Sequence, residues 1–144
     1  MKQWFSIGGY WLKLSLDVLL VWLAGAIAWY LRYEVQLLRL VEPSFFQPLS
    51  AYIGLFTTLT LVFLVVAHAN GVYARVRGQL YLDEMVKVAN STMTSIVIMM
   101  AVTFGLQPLA FSRLLFLFAA VLLVGLIGIH RFIWRFVMAR LRAR

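Results

Sequence analysis

The chain contains no cysteine, and that absence removes disulfides, thiolate metal sites, cysteine nucleophiles and S-palmitoylation together. Charge is also scarce. Only 12% of the 144 residues are Asp, Glu, Lys or Arg, against about 25% in a soluble domain, and only five of them are acids. Eighteen charged side chains cannot cover a protein of this size with a polar shell, so a water-soluble globule is excluded. Two histidines without nearby carboxylates make a poor metal site, and His68 and His130, read as marking helix ends, are assigned to the membrane interface. Each of the three prolines lies between apolar runs. No run is therefore broken at its middle, as carrier sites usually require, which argues against a transporter.

What the chain has in excess is apolar side chains, 64% of the total, with a mean hydropathy of +0.93. A hydrocarbon core of roughly 30 Å takes about 20 residues of helix, and four runs approach that length. They cover about residues 14–33, 49–69, 85–106 and 114–130. These runs are too long for strands, so the expected fold is all-α: one integral membrane domain over residues 1–144 with four transmembrane helices. The first run follows Met1 and Lys2 without a small-residue cleavage site, and is expected to be a retained span rather than a signal peptide. Asn70-Gly71 reads as a stop for the second helix and Gln107-Pro108 as a tight turn that makes the third and fourth a hairpin. The third run is the most polar. Lys87, Asn90, Ser91, Thr92, Thr94 and Ser95 crowd its first half, which is expected to turn a polar face to other helices.

The net charge of +8 points to anionic lipid headgroups rather than nucleic acid in a chain of this hydropathy. Its distribution sets the orientation. Lys2, Lys13, Arg75, Arg77, Lys87, Arg131, Arg135, Arg140, Arg142 and Arg144 fall at one side, and only Arg32, Arg39 and Arg113 at the other, so both termini are expected in the cytoplasm. Residues 131–144 extend the fourth helix as a basic amphipathic tail. Arg131, Arg135 and Arg142 share a narrow arc of it, and these, with Arg140, Arg144, Arg75 and Arg77, are the candidate interfacial residues.

Asp17 stands a turn or two inside the first run, where an unpaired carboxylate costs several kcal/mol. A cation must answer it. Arg131, at a similar depth in the fourth helix, is the expected partner, ahead of Arg75 and Lys13. Asp83 and Glu84 precede the third run and read as an N-cap and a first-turn acid. Asn90-Ser91-Thr92 matches a glycosylation acceptor but falls on the cytoplasmic side or within the membrane, where it is not modified. Ala24 with Ala28, and Gly125 with Gly128, offer small surfaces for close helix approach. No nucleophile–base set, phosphate loop, metal motif or pair of intramembrane acids can be assembled, so neither catalysis nor a cofactor is expected of these residues.

The order of features resembles a bacterial pattern. Leu16-Asp17-Val18-Leu19-Leu20, then Leu31-Arg32-Tyr33, Gly71-Val72-Tyr73-Ala74-Arg75 with Asp83-Glu84, and Phe111-Ser112-Arg113 opening the last span are similar to the N-terminal four-helix membrane region of large polyprenyl-phosphate sugar-1-phosphate transferases. Membrane-bound nucleotide-sugar dehydratases open with a similar region. The resemblance implies a bacterial cytoplasmic (inner) membrane, a role in exopolysaccharide or O-antigen synthesis, and self-association. It also implies that catalysis resides elsewhere, because the family's Asp-Glu dyad lies in a later cytoplasmic domain to which Asp83-Glu84 does not correspond. The expectation is therefore the anchoring and oligomerising region of such an enzyme. The alternative is a non-catalytic accessory subunit of another membrane complex, for instance an energy-transducing one.

Overall fold

The computed structural model describes residues 2–74, 78–106 and 112–142, with side chains for 8–74, 78–105 and 112–141. Helix α1 spans Lys2–Trp29 and runs into a single π-helical turn, Tyr30–Glu34. Short 3₁₀ turns at Pro43–Phe45 and Leu49–Tyr52 lead into α2, Ile53–Ala69, followed by α3, Tyr81–Leu106, and α4, Arg113–Arg142. All four helices are long and apolar enough to cross a membrane. At 1.5 Å per residue the 30 residues of α4 reach about 45 Å, well beyond a hydrocarbon layer.

The helices close a ring in which α1 packs on α2, α2 on α3, α3 on α4 and α4 back on α1. The start of α1 and the end of α4 lie at one end of the bundle, because Asp17 meets Arg131 there. Arg32 and Ser112 meet at the other end. Between the ends, small and aromatic residues fill the interior: Ala24 and Ala28 of α1, Phe56 and Phe63 of α2, Val88 and Met99 of α3, Leu123 and Ile127 of α4 are buried. Outward faces carry Leu19, Leu61, Val65, Val97, Leu117 and Val121, all more than half exposed. A surface of that kind aggregates in water and is solvated by lipid tails.

Close approach is uneven. A Cβ on Gly25 would stand 2.8 Å from the Phe56 ring, so α1 and α2 touch where that glycine lies. On Gly128 it would meet the flexible end of Met85, its methyl at 2.8 Å and Sδ at 3.4 Å, and the Tyr81 hydroxyl at 3.5 Å, and on Gly125 nothing within 4 Å. Of the two glycines expected to form a small surface on α4, Gly128 alone receives a neighbour.

The stop after α2 takes the form of a Schellman cap. The amides of Gly71 and Val72 donate to the carbonyls of His68 and Ala67, with Gly71 in the left-handed region at φ +69. Two boundaries differ from the sequence reading. Helix α1 begins twelve residues before 14, since Lys2, Gln3, Ser6, Gly8, Gly9 and Lys13 keep that lead out of the apolar count without ending a helix. Helix α3 begins at Tyr81 rather than 85. Glu84 is consequently in the first turn as expected, whereas Asp83 is inside that turn and not the N-cap, because the helix starts two residues before it. The expected turn at Gln107-Pro108 lies outside the described residues.

Candidate functional site: a buried ion clamp

A guanidinium can face two carboxylates at once, and α4 places two guanidinia four residues apart on its inward side. Arg131 is 1% exposed and Asp17 is fully buried. Nη2 of Arg131 donates to Asp17 Oδ2 at 2.7 Å, and Nη1 donates to Glu84 Oε1 at 2.9 Å. The second carboxylate oxygen of Glu84 accepts from Arg135, from Nη2 at 2.8 Å and Nε at 3.1 Å, while Arg135 Nη1 donates to the carbonyl of Gln79. One continuous chain of charge therefore runs from Asp17 on α1, through Arg131 on α4 and Glu84 on α3, to Arg135. Two positive charges answer two negative ones. Lys13, partly buried one turn before Asp17, adds a cation on the same face of α1.

Aromatic hydroxyls complete the clamp. Tyr73, in the α2–α3 connection, donates its phenol to Asp17 Oδ2 at 2.8 Å, and the Arg131 guanidinium lies 5.7 Å from the Tyr73 ring centre. Burial, and then the negative charge of Asp17, push the Tyr73 phenol above its ordinary value, so it stays a donor. Tyr81 donates to the carbonyl of Gly128 at 2.9 Å and ties the start of α3 to α4. Asp17 Oδ1, Arg131 Nε and both ring nitrogens of His130 are buried with no hydrogen-bond partner among the described residues. Each such orphaned atom costs the folded state its own desolvation.

No family model matches the sequence, and neither a curated protein nor a solved structure does.

The clamp gathers some of the sequence candidates and separates others. Asp17 and Arg131 come together directly. Arg131 also stood among the interfacial residues, and there the geometry differs: it is turned inward onto two acids, because a desolvated guanidinium finds its charge partners inside the bundle rather than among phosphates. Arg135 is shared between Glu84 and the surface, with its side chain 38% exposed. Arg140 is exposed and stacks on Phe136 with its guanidinium 4.5 Å from the ring centre. Arg75, Arg77 and Arg144, and the side chain of Arg142, lie outside the described residues. Glu84 is buried as an ion partner rather than spent on capping, whereas Asp83 is exposed.

Three participants had no sequence reading of this kind: Glu84 as a bridge, and Tyr73 and Tyr81 as donors. A signal existed for Glu84. Arginines at 131 and 135 present two charges on one helical face, and with five acids in the chain, few residues can answer them. In the polar half of α3, Ser91, Thr92 and Ser95 are fully buried while Asn90 and Thr94 face outward. Ser91 receives a hydrogen bond from the Asn70 amide at 2.9 Å, joining the α2 cap to α3. Among the described residues no three of His, Asp and Glu gather in a way that would hold a metal.

Proposed function

We propose that the bundle is a membrane-anchoring and oligomerising region, seated with its clamp end at the inner face of a bacterial cytoplasmic membrane. It is of the kind that precedes the catalytic part of polyprenyl-phosphate sugar-1-phosphate transferases. The observation that carries this reading is the clamp. Asp17 and Glu84, the ionisable acids best placed for chemistry, are both committed to arginines of α4, and their effect is to fix α1, α3 and α4 against one another. A bundle so fixed holds whatever is joined to it at constant height above the leaflet, where a polyprenyl phosphate presents its headgroup. Exposed Arg140, beyond the clamp on the same helix, suits contact with anionic headgroups.

The reading frame beyond Arg144, together with the native mass of the product, tests the proposal. A frame continuing into a nucleotide-binding-like domain supports it, and a stop codon there defeats the transferase form.

One observation favours the accessory-subunit reading. Asn90 and Thr94, one turn apart on α3, face away from the bundle, and a lipid tail offers an Asn amide no partner. Gentle detergent extraction followed by sizing separates the two. Co-migration with a set of other membrane polypeptides supports a subunit, whereas a lone monomer or homodimer supports the anchor.

A further inference from the structure

The connection between α1 and α2 is unusual for a loop. Of its fourteen residues, 35–48, seven are Val, Leu or Phe and only Arg39 and Glu42 are charged. In the folded chain Val41 and Phe46 pack on the bundle, but the others point outward: Leu38 is 76% exposed, Leu40 80% and Phe45 62%. Loops normally put polar residues outward, because their surroundings are water. Here the outward residues are those that water rejects.

The backbone of this segment is nevertheless tied down. The buried Arg32 donates from Nη1 to the carbonyl of Arg39 at 2.7 Å and from Nε to Ser112 Oγ at 2.8 Å, so one side chain holds the loop against the start of α4. The Trp29 indole donates to the carbonyl of Gln47 at 2.9 Å, and Phe46 packs edge-on to both Trp29 and Tyr33. The amides of Val35 and Leu37 bond back to the carbonyls of Tyr30 and Leu31. Gln36 and Leu38 adopt left-handed conformations, at φ 53 and φ 70, which lay the chain back on the bundle instead of continuing the helix. A leucine rarely takes that conformation, and no burial of its own side chain compensates it within the chain.

Position decides the occupant. Trp29, whose indole holds the loop, and the exposed Tyr30, whose carbonyl holds Val35, lie at the end of α1, and outward-facing tryptophans and tyrosines settle at the headgroup level of a bilayer. A segment bonded to them lies at the same level. Its exposed Val35, Leu38, Leu40 and Phe45 stand in the chain between the exposed Tyr30 at the end of α1 and the exposed Leu49 and Ile53 at the start of α2.

We propose that residues 35–48 form a non-spanning apron that rests its leucine and phenylalanine side chains in the headgroup–acyl boundary, at the end of the bundle opposite the ion clamp. Lipid, not a protein, covers Leu38, Leu40 and Phe45. The inference rests on the membrane reading of the four helices, and its test is built to separate the two.

Because the chain is free of cysteine, single substitutions can carry a nitroxide spin label on the intact protein in phosphatidylethanolamine–phosphatidylglycerol vesicles. Labels at Leu38→Cys and Phe45→Cys report the apron, a label at the exposed mid-helix Leu61→Cys reports the lipid phase, and one at exposed Ala74→Cys reports water. Collision with oxygen is compared with collision with a water-soluble nickel chelate. The expected result is an oxygen-to-nickel ratio at 38 and 45 several-fold above that at 74 and below that at 61. Ratios at 38 and 45 equal to that at 74, with 61 still in lipid, overturn the apron and leave the membrane reading standing. Suppression of both collisions at 38 and 45 means that protein covers the loop, and overturns it equally. A water-like ratio at 61 removes the membrane reading and the apron with it.

Discussion

Truncating Asp17 to alanine would leave the buried Arg131 guanidinium facing one acid instead of two. Removing one member of a buried pair costs about 3–5 kcal/mol, and the remaining bond to Glu84 places this variant near the lower figure. Replacing both partners at once, Asp17→Ala with Arg131→Met, removes the stranded charge, so the double variant is expected to lose less stability than Asp17→Ala alone. Thermal unfolding in detergent measures both. Tyr73 adds a pH dependence. Its phenol is held above the ordinary value, so the folded state keeps a proton that the unfolded state releases above about pH 10, and stability falls as pH rises past that point. Phenylalanine at 73 forfeits the hydrogen bond to Asp17, about 1.5–3 kcal/mol, and also the decline. The gap between the two proteins should therefore narrow in alkaline melts, and a constant gap would contradict this account. The need of Asp17 for a cation was legible from hydropathy alone, since a carboxylate in an apolar run is costly wherever it lies. The part played by Glu84 was not, because a first-turn acid serves a helix dipole and a neighbouring arginine equally well, and only the rotation of α3 against α4 chooses between them.

Helix contacts are set by where side chains are missing. An alanine at Gly25 drives a methyl into the face of Phe56, which is itself held between Trp22 and Tyr52, and about 1–3 kcal/mol of strain is expected. At Gly128 the same change displaces only the flexible end of Met85, and at Gly125 it meets open space, so both should melt close to the parent. A Gly128→Ala protein less stable than Gly25→Ala would refute the assigned α1–α2 contact. The four long apolar helices were readable because length and hydropathy act on every residue of a run at once. Helix starts were less so: Tyr81-Leu82-Asp83-Glu84 contains nothing that forbids helix, and packing of Tyr81 on α4 extends α3 to include it. Gly25 escaped notice because small residues mark a contact only when the facing residue is large, and Phe56 lies 31 positions away.

For the whole molecule, the expected orientation has a direct assay. With a membrane-impermeant maleimide, Glu42→Cys should be labelled on intact cells and Arg140→Cys only after lysis; the reverse pattern would invert the bundle. Charge asymmetry made this expectation possible, while the shape of the ring did not show in the sequence, because four apolar runs are compatible with several packing orders. The closing of that ring has a consequence for biosynthesis. Asp17 leaves the ribosome in the first helix and Arg131 follows 114 residues later in the fourth. Throughout the intervening translation the earliest segment carries that acid with Lys13 beside it but without Arg131, and on the membrane reading it is expected to stay in the hydrated passage of the insertion machinery or at its lateral exit. On the membrane reading, release into a bilayer is expected only once α4 arrives, and a nascent chain halted before Arg131 should be retained there and removed by quality-control proteolysis.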